Sequence, residues 1–209
     1  MASSTSYVLD RGSNGDARLL RLPPGARAPR IVPGMDAARG LTVDGAGVLY
    51  AIAVDPRYLT LSIVTLYPDG HRRQLPLAGT AVDYATSLAI GPMAIDGHGA
   101  LYCADGQQVL KIAPNGHVAT APAPLPTRIV GSDAKITGLA VSRAGTLYVT
   151  VSSMSSTGED QAAMLPAGGR PSTIATGLSE AGGIAVDAHG AVYIADSGND
   201  RVVEALPPH

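Results

Sequence analysis

Four acidic residues each lie shortly before a short apolar segment, in four different parts of the chain. They are Asp36, Asp83, Asp133 and Glu180. Their offsets from the apolar segment differ, so a repeated structure alone does not require a carboxylate there. Converging carboxylates can hold Ca²⁺ or Mg²⁺, bind a cationic group, or raise the pKa of one member for acid–base chemistry. Asp36, Asp133 and Glu180 are therefore the candidate catalytic or metal-binding residues, with Ca²⁺ or Mg²⁺ as the cofactor they would hold.

Two tyrosines, Tyr58 and Tyr84, lie in segments that interrupt the regular pattern of the chain. Aromatic side chains on irregular loops are typical of recognition surfaces. Charged residues of comparable loops complete the predicted ligand-binding set: Asp83, Asp105 and Lys135. Further carboxylates are expected around the same loops: Asp10, Asp55, Glu159, Asp160 and Asp196, the last as a partner of Arg201.

The histidines and the cysteine do not indicate catalytic chemistry. Four histidines occupy repeated turn positions: His71, His98, His117 and His189. Such positions indicate exposed turns rather than a Ser-His-Asp triad or a three-histidine metal site. The single cysteine, Cys103, excludes an intrachain disulfide and a CxxC motif. It lies in an apolar strand, where a buried thiol is typical.

The elements that must position these side chains form a repeat. Four segments are similar: GLTVD at 40–44, PMAID at 92–96, GLAVS at 138–142 and GIAVD at 183–187. Each is followed by a turn that ends in glycine and by an apolar strand with a tyrosine. The tyrosine recurs at intervals of 43 to 52 residues: Tyr7, Tyr50, Tyr102, Tyr148 and Tyr193. Most of the first segments end in aspartate, which can cap the turn by a side-chain hydrogen bond.

Each full copy reads as four short strands, which we name A to D in chain order. Strand C runs into a proline, and in four copies the chain continues as Pro-x-Gly. This is a turn sequence, because proline cannot donate to a sheet and glycine accepts positive φ. Four-stranded units at this period predict a β-propeller, whereas a β-sandwich or a β-helix fits such regular turns less well. We predict one all-β propeller domain over residues 1–209, with copies at approximately 7–39, 40–91, 92–137, 138–182 and 183–209.

The two ends of this repeat are incomplete. The first copy begins at strand B and the last stops after strand C, which gives 18 strands in about five blades. Three interpretations are open: a ring with two three-stranded blades, a piece of a longer protein, or edges completed by a second copy. The third predicts self-association through the open blade edges, which proteins otherwise protect.

Composition excludes several classes of function. Charged residues make up 15% of the chain and the net charge is −2, so no basic face for nucleic acid is expected. No apolar run reaches the ~20 residues of a membrane-spanning helix. The first residues lack the basic and apolar regions of a secretory signal. The chain as written is thus expected in the cytoplasm, or outside it if it belongs to a longer receptor.

The last copy resembles an NHL repeat. Residues 183–206 match the pattern G-x-A-V-D-x-x-G-x-x-Y-V-x-D-x-x-N-x-R-V nearly throughout, and residues 92–112 match it with a shortened B–C loop. Similar repeats form the sensor domains of actinobacterial receptor Ser/Thr kinases, and the composition rich in Ala, Gly and Arg suits such a bacterium. The resemblance implies a binding or sensor module for a small ligand or a protein, which acts through the loops at the channel mouth.

More distantly the chain is similar to enzymes: gluconolactonase-type hydrolases, virginiamycin B lyase and peptide-amidating lyases. The lactonases hold a divalent metal with Glu, two Asn and Asp, and Glu180 is placed as their glutamate would be. This chain has three asparagines in all, and no histidine maps to the ligand side where the lyases use one. The resemblance therefore implies, as the alternative function, a metal-assisted lyase, hydrolase or cyclase acting on a small molecule.

Overall fold

The computed structural model describes residues 5–11, 17–35, 38–55, 60–77, 90–106, 108–120, 134–153 and 159–205. Their strands form five antiparallel sheets, each built from strands consecutive in sequence. These sheets are the blades of a five-bladed β-propeller, so the predicted fold class is confirmed. Among the described residues no helix is long or apolar enough to cross a bilayer.

The strand bounds follow the predicted order A to D. Blade 1 has β1 (Ser6–Arg11), β2 (Ala17–Leu22) and β3 (Arg30–Ile31). Blade 2 has β4 (Ala38–Val43), β5 (Leu49–Asp55), β6 (Thr60–Leu66) and β7 (Arg72–Pro76). Blade 3 has β8 (Ile90–Ile95), β9 (Leu101–Asp105), β10 (Gln108–Ile112) and β11 (Val118–Thr120). Blade 4 has β12 (Ala134–Val141), β13 (Leu147–Ser153), β14 (Asp160–Leu165) and β15 (Ser172–Leu178). Blade 5 has β16 (Ala181–Val186), β17 (Val192–Asp196) and β18 (Arg201–Ala205), with one 3₁₀ turn at Ser197–Asn199.

Apolar side chains pack between neighbouring blades. Blades 1 and 2 share a cluster around Leu19, Leu49 and Val64, all at most 1% exposed. Comparable clusters join blades 2 and 3, 3 and 4, and 4 and 5. Each fully buried aliphatic side chain contributes roughly 1.5–3 kcal/mol. A single blade is too thin to bury its own faces, so this stacking stabilises the fold.

The outward faces of the first and last blades differ from these interfaces. Within the described chain no buried apolar cluster joins blade 5 to blade 1. Blade 1 exposes Val8 and Ile31, and blade 5 exposes Tyr193 and Val202. Both blades have three strands among these residues, as the repeat predicts. Self-association through these blades stays a prediction.

The repeated aspartate and tyrosine are explained by one turn. Asp44 Oδ1 accepts hydrogen bonds at 2.9 Å from the N–H groups of Ala46 and Val48, and Oδ2 accepts one at 3.1 Å from the Tyr50 hydroxyl. Asp96 and Tyr102 repeat this arrangement. The predicted cap is therefore confirmed, and the tyrosine of strand B completes it. Burial and the neighbouring Asp44 carboxylate raise the pKa of Tyr50 to about 12.

Strand A carries an irregularity in register at a similar place in each of the four blades that have it. The shifts lie at Ala38/Gly40, Ile90/Met93, Ile136/Gly138 and Ala181/Ile184. A bulge adds a residue and bends the strand. The first strands of successive blades contact one another, so they form the inner side of the ring. A Cβ on Gly40 would lie 2.5 Å from the carbonyl oxygen of Gly91 in the next blade, which requires glycine there.

Candidate functional site at the connection from blade 4 to blade 5

The loops of the propeller divide between two ends of the ring, because successive strands run in opposite directions. The B–C loops and the D–A connections lie at one end, which we call the connection end. The A–B and C–D turns lie at the other, the turn end. Of the predicted site residues that the structure describes, Asp105, Lys135 and Glu180 lie at the connection end. Five predicted site residues lie outside the described residues: Asp36, Tyr58, Asp83, Tyr84 and Asp133.

Glu180 is described, and its backbone conformation is unusual. Only Ser179 and Glu180 connect β15 to β16, and Glu180 adopts φ 47°. This left-handed region costs a residue with a Cβ about 1–2 kcal/mol. Its side chain is exposed. Such a conformation persists only where the surrounding structure holds it in place.

Two buried carboxylates hold the backbone on either side of Glu180. Asp196 Oδ1 accepts a hydrogen bond from the N–H of Ser179 at 2.7 Å. Asp160 Oδ2 accepts one from the N–H of Ala181, also at 2.7 Å. Asp160 is 5% exposed and Asp196 is fully buried. Asp160 is the first residue of strand C in blade 4 and Asp196 is the last residue of strand B in blade 5, so both blades contribute to the conformation of Glu180.

Each of these carboxylates is satisfied by further donors. Asp160 Oδ1 accepts a hydrogen bond from the N–H of Ser153 at 3.0 Å. Asp196 accepts from Asn199 Nδ2 at 3.0 Å and from Arg201 Nε at 2.6 Å, so the predicted pair with Arg201 is confirmed. The hydrogen bond from Ser179, with those from Asn199 and Arg201, holds the pKa of the Asp196 carboxyl below its ordinary value. Asp160 is expected among the carboxylates that surround these loops, but its side chain is buried and each oxygen accepts a hydrogen bond from a backbone amide.

The carbonyl groups of the same connection are also fixed. The Ser179 carbonyl accepts a hydrogen bond from the N–H of Gly198 at 2.9 Å. Thr137 and Thr150, on strands A and B of blade 4, donate from their hydroxyls at 2.6 Å to the carbonyls of Ala181 and Gly182. Hydrogen bonds on both sides therefore hold the Glu180 backbone, while its carboxylate faces solvent.

The backbone segments that carry Asp105 and Lys135 are adjacent at the connection end. Gly106 follows Asp105 and accepts a hydrogen bond at 3.0 Å from the N–H of Ile136, which follows Lys135. Lys135 is exposed and lies opposite Ser152 in register. The neighbouring residues Gly106 and Ile136 therefore join blades 3 and 4 here, and a binding role for Asp105 and Lys135 stays a prediction.

A divalent-metal site is not assembled by the described part of the chain. These residues contain no group of three or more His, Cys, Asp and Glu side chains placed to hold a metal ion. Glu180 is the only described member of the predicted ligand set, and Asn199 already donates to Asp196. Cys103 is buried, and burial raises the pKa of its thiol to about 12, so its expected role as a small core residue fits.

The fold places this chain in the class of β-propeller proteins. No protein-family model matches the sequence, and no curated protein matches it. Among solved structures, a gluconolactonase from Xanthomonas campestris is similar with a TM-score of 0.58 and 16% identity, over 99% of this chain and 77% of that one. A putative gluconolactonase gives 0.53 and 15%, over 92% and 71%. The extracellular domain of a putative one-component system from B. thetaiotaomicron gives 0.55 and 9%, over 93% and 25%. Likeness at these identities supports the propeller fold alone.

The role of the two clamping aspartates is not evident from the repeat. Asp196 ends strand B of its blade, whereas Asp160 begins strand C of the preceding one. An alignment of copies therefore places them in different columns although they act on the same connection. What the two residues share is their place in the folded ring, beside the same D–A connection.

Proposed function

We propose that this chain is an NHL-type binding or sensor module that recognises a small ligand or a protein through the loops at the channel mouth. The observation that carries the proposal is that the exposed carboxylate of Glu180 stands on a strained backbone with φ 47°. Hydrogen bonds from the two adjacent N–H groups to Asp196 and Asp160 hold that backbone in place. Strain of this kind concentrates at ligand clamps and active sites. A side chain on a fixed backbone also loses less entropy on binding.

The chemistry of the connection end suggests the ligand class. Glu180 offers carboxylate oxygens, which accept hydrogen bonds from ammonium, guanidinium or hydroxyl groups. Lys135, which is exposed on strand A of blade 4, offers a donor at the same end of the ring. A small molecule that carries both a cationic or hydroxyl group and an acceptor would satisfy this surface. The extracellular domain of a putative one-component system shares the fold, which accords with a sensor role.

The test is a thermal-shift screen with amino acids, polyamines and monosaccharides as probes. We expect at least one of these probes to raise the unfolding temperature of the wild-type chain by about 2 °C or more. Glu180→Gln keeps the size of the side chain and removes its charge, so the same probe should lose most of its effect. Glu204→Gln is the matched control, because Glu204 is exposed on β18 and belongs to no clamp.

Two results would contradict this proposal. One is that no probe stabilises the wild-type chain, and the other is that probes stabilise Glu180→Gln equally well. The rival function, a metal-assisted enzyme, is tested on the same proteins by elemental analysis after dialysis against Ca²⁺ and by hydrolysis of gluconolactone. If the wild type binds one equivalent of metal and hydrolyses gluconolactone, and Glu180→Gln does neither, the protein is an enzyme and the proposal of a binding module is wrong.

A further inference from the structure

A cavity lies at the turn end of the ring, between blades 2 and 3. Its volume is about 310 Å³, which is at the small end of the range for ligand pockets, roughly 300–1,000 Å³. Glu180 lies on the opposite end, so this cavity is independent of the proposed site. Its walls come from the facing sides of two sheets that are otherwise packed tightly.

The floor of the cavity is apolar. It is formed by Ile63 and Leu75, which are opposite each other in register on blade 2, and by Leu101 and Ile112, which are opposite each other on blade 3. The space exists because the lining at the ends of the blade 3 strands includes the small residues Gly99 and Ala113, so no large side chain fills the gap.

Polar groups gather on one side of this cavity. Tyr50, Thr65 and Arg73 lie side by side across blade 2 in register. The Tyr50 hydroxyl donates to Asp44 at 3.1 Å, and its raised pKa keeps it neutral. Tyr67 and the exposed His98 complete the rim.

Arg73 is the arginine of this rim. Its neighbour Arg72 is used structurally, since it donates to the carbonyls of Pro33 at 3.3 Å and Gly34 at 2.7 Å. Arg73 faces the cavity and forms no ion pair with any described residue. A guanidinium matches a carboxylate through two parallel hydrogen bonds.

We propose that this cavity binds a small monocarboxylate with an aliphatic or aromatic body, which places its carboxylate on Arg73 and its body on the floor of Ile63, Leu75, Leu101 and Ile112. The apolar floor receives the body of the ligand, and the guanidinium fixes its orientation. A cation of the same shape is repelled by Arg73, and a neutral amide loses the charge-assisted pair.

The test is a methyl NMR titration of the full chain with benzoate and hexanoate at near-neutral pH. We expect shifts of the Ile63 and Ile112 methyl signals that saturate with carboxylate, a weaker response to benzamide and none to benzylamine. Arg73→Gln should weaken benzoate binding about tenfold or more. Arg170→Gln is the matched control, because Arg170 is an exposed arginine near the C–D turn of blade 4.

A second variant fills the cavity with a larger side chain. Ala113→Leu should abolish benzoate binding while the urea midpoint of the protein stays the same. The proposal is overturned if benzoate and benzamide bind equally, if Arg73→Gln binds benzoate as the wild type does, or if the responding methyl groups lie outside the cavity.

Discussion

The carboxylate of Asp160 accepts a hydrogen bond at 2.7 Å from the backbone N–H of Ala181, across the boundary between blades 4 and 5. Its other oxygen accepts from the N–H of Ser153 at the end of β13. One buried side chain therefore joins strands B and C of blade 4 to strand A of blade 5. This tie fixes the backbone next to Glu180 without using a repeat position.

Replacing this carboxylate by an amide should destabilise the fold. Asp160→Asn keeps the shape but presents an NH₂ group to one of two backbone donors. One buried N–H is then unsatisfied, which costs about 1–3 kcal/mol. Urea unfolding of the variant measures the loss. Glu159→Gln, at the exposed adjacent residue, should change the free energy of unfolding by less than about 0.5 kcal/mol, and equal effects of the two substitutions would contradict the role of Asp160.

Asp196 should make stability depend on pH in the acid range. Its hydrogen bonds, first that from Ser179, hold the pKa of the folded-state carboxyl below the ordinary value of 3.8. A lowered folded-state pKa means that the ionised group stabilises the protein above its unfolded-state pKa, and that this contribution disappears as pH falls through the folded-state pKa.

The measurement compares the wild type with Asp196→Asn by urea unfolding over a pH series. The difference in unfolding free energy should be constant from about pH 7 to about pH 5. It should shrink below about pH 4, where the unfolded chain takes up a proton at this carboxyl, and should be lost once the folded carboxyl is protonated at still lower pH. A difference that stays constant down to about pH 3 would show that the charge of Asp196 does not stabilise the fold.

The sequence predicts those parts of the fold that recur in every copy. The strand order and the turn formed by Asp44 and Tyr50 are local, since their partners lie within six residues of each other. Because the same turn recurs in several copies, a comparison of the copies reveals it. Strand C is recognised by the proline after it, as in β2 (Ala17–Leu22), which ends immediately before Pro23.

Features that depend on two blades escape a comparison of copies. The clamp around Glu180 uses Asp160 from one blade and Asp196 from the next, at different repeat positions. The cavity above Ile63 and Ile112 likewise depends on two blades, and it stays open because Gly99 and Ala113 are too small to fill it. Such features arise from how two sheets face each other, which the pattern within one copy does not specify.

The strain at Glu180 predicts an unusual order of stabilities. Glu180→Gly should be more stable than Glu180→Ala by about 1 kcal/mol, because glycine adopts φ 47° without a Cβ penalty and alanine does not. Both variants remove the carboxylate, so the difference reports the backbone alone. Urea unfolding of the two proteins measures it. An alanine variant as stable as the glycine variant would show that the clamp does not impose strain.

The close approach of strand A in one blade to strand A in the next predicts that the fold needs glycine at one repeat position of strand A in blade 4 but not at the equivalent position in blade 5. A Cβ on Gly138 would overlap the carbonyl oxygen of Gly182 in blade 5 and lie 2.5 Å from Thr150 Oγ1, whose donation to that carbonyl fixes the connection from blade 4. Gly138→Ala should therefore destabilise the fold by about 1–3 kcal/mol, since the innermost strands must separate. Gly183 aligns with Gly138 in the repeat, yet a Cβ there would meet nothing within 4 Å. Gly183→Ala should leave the urea midpoint nearly unchanged, because its new methyl group has open space. Equal losses in the two variants would mean that the contact between blades 4 and 5 does not depend on close approach at Gly138.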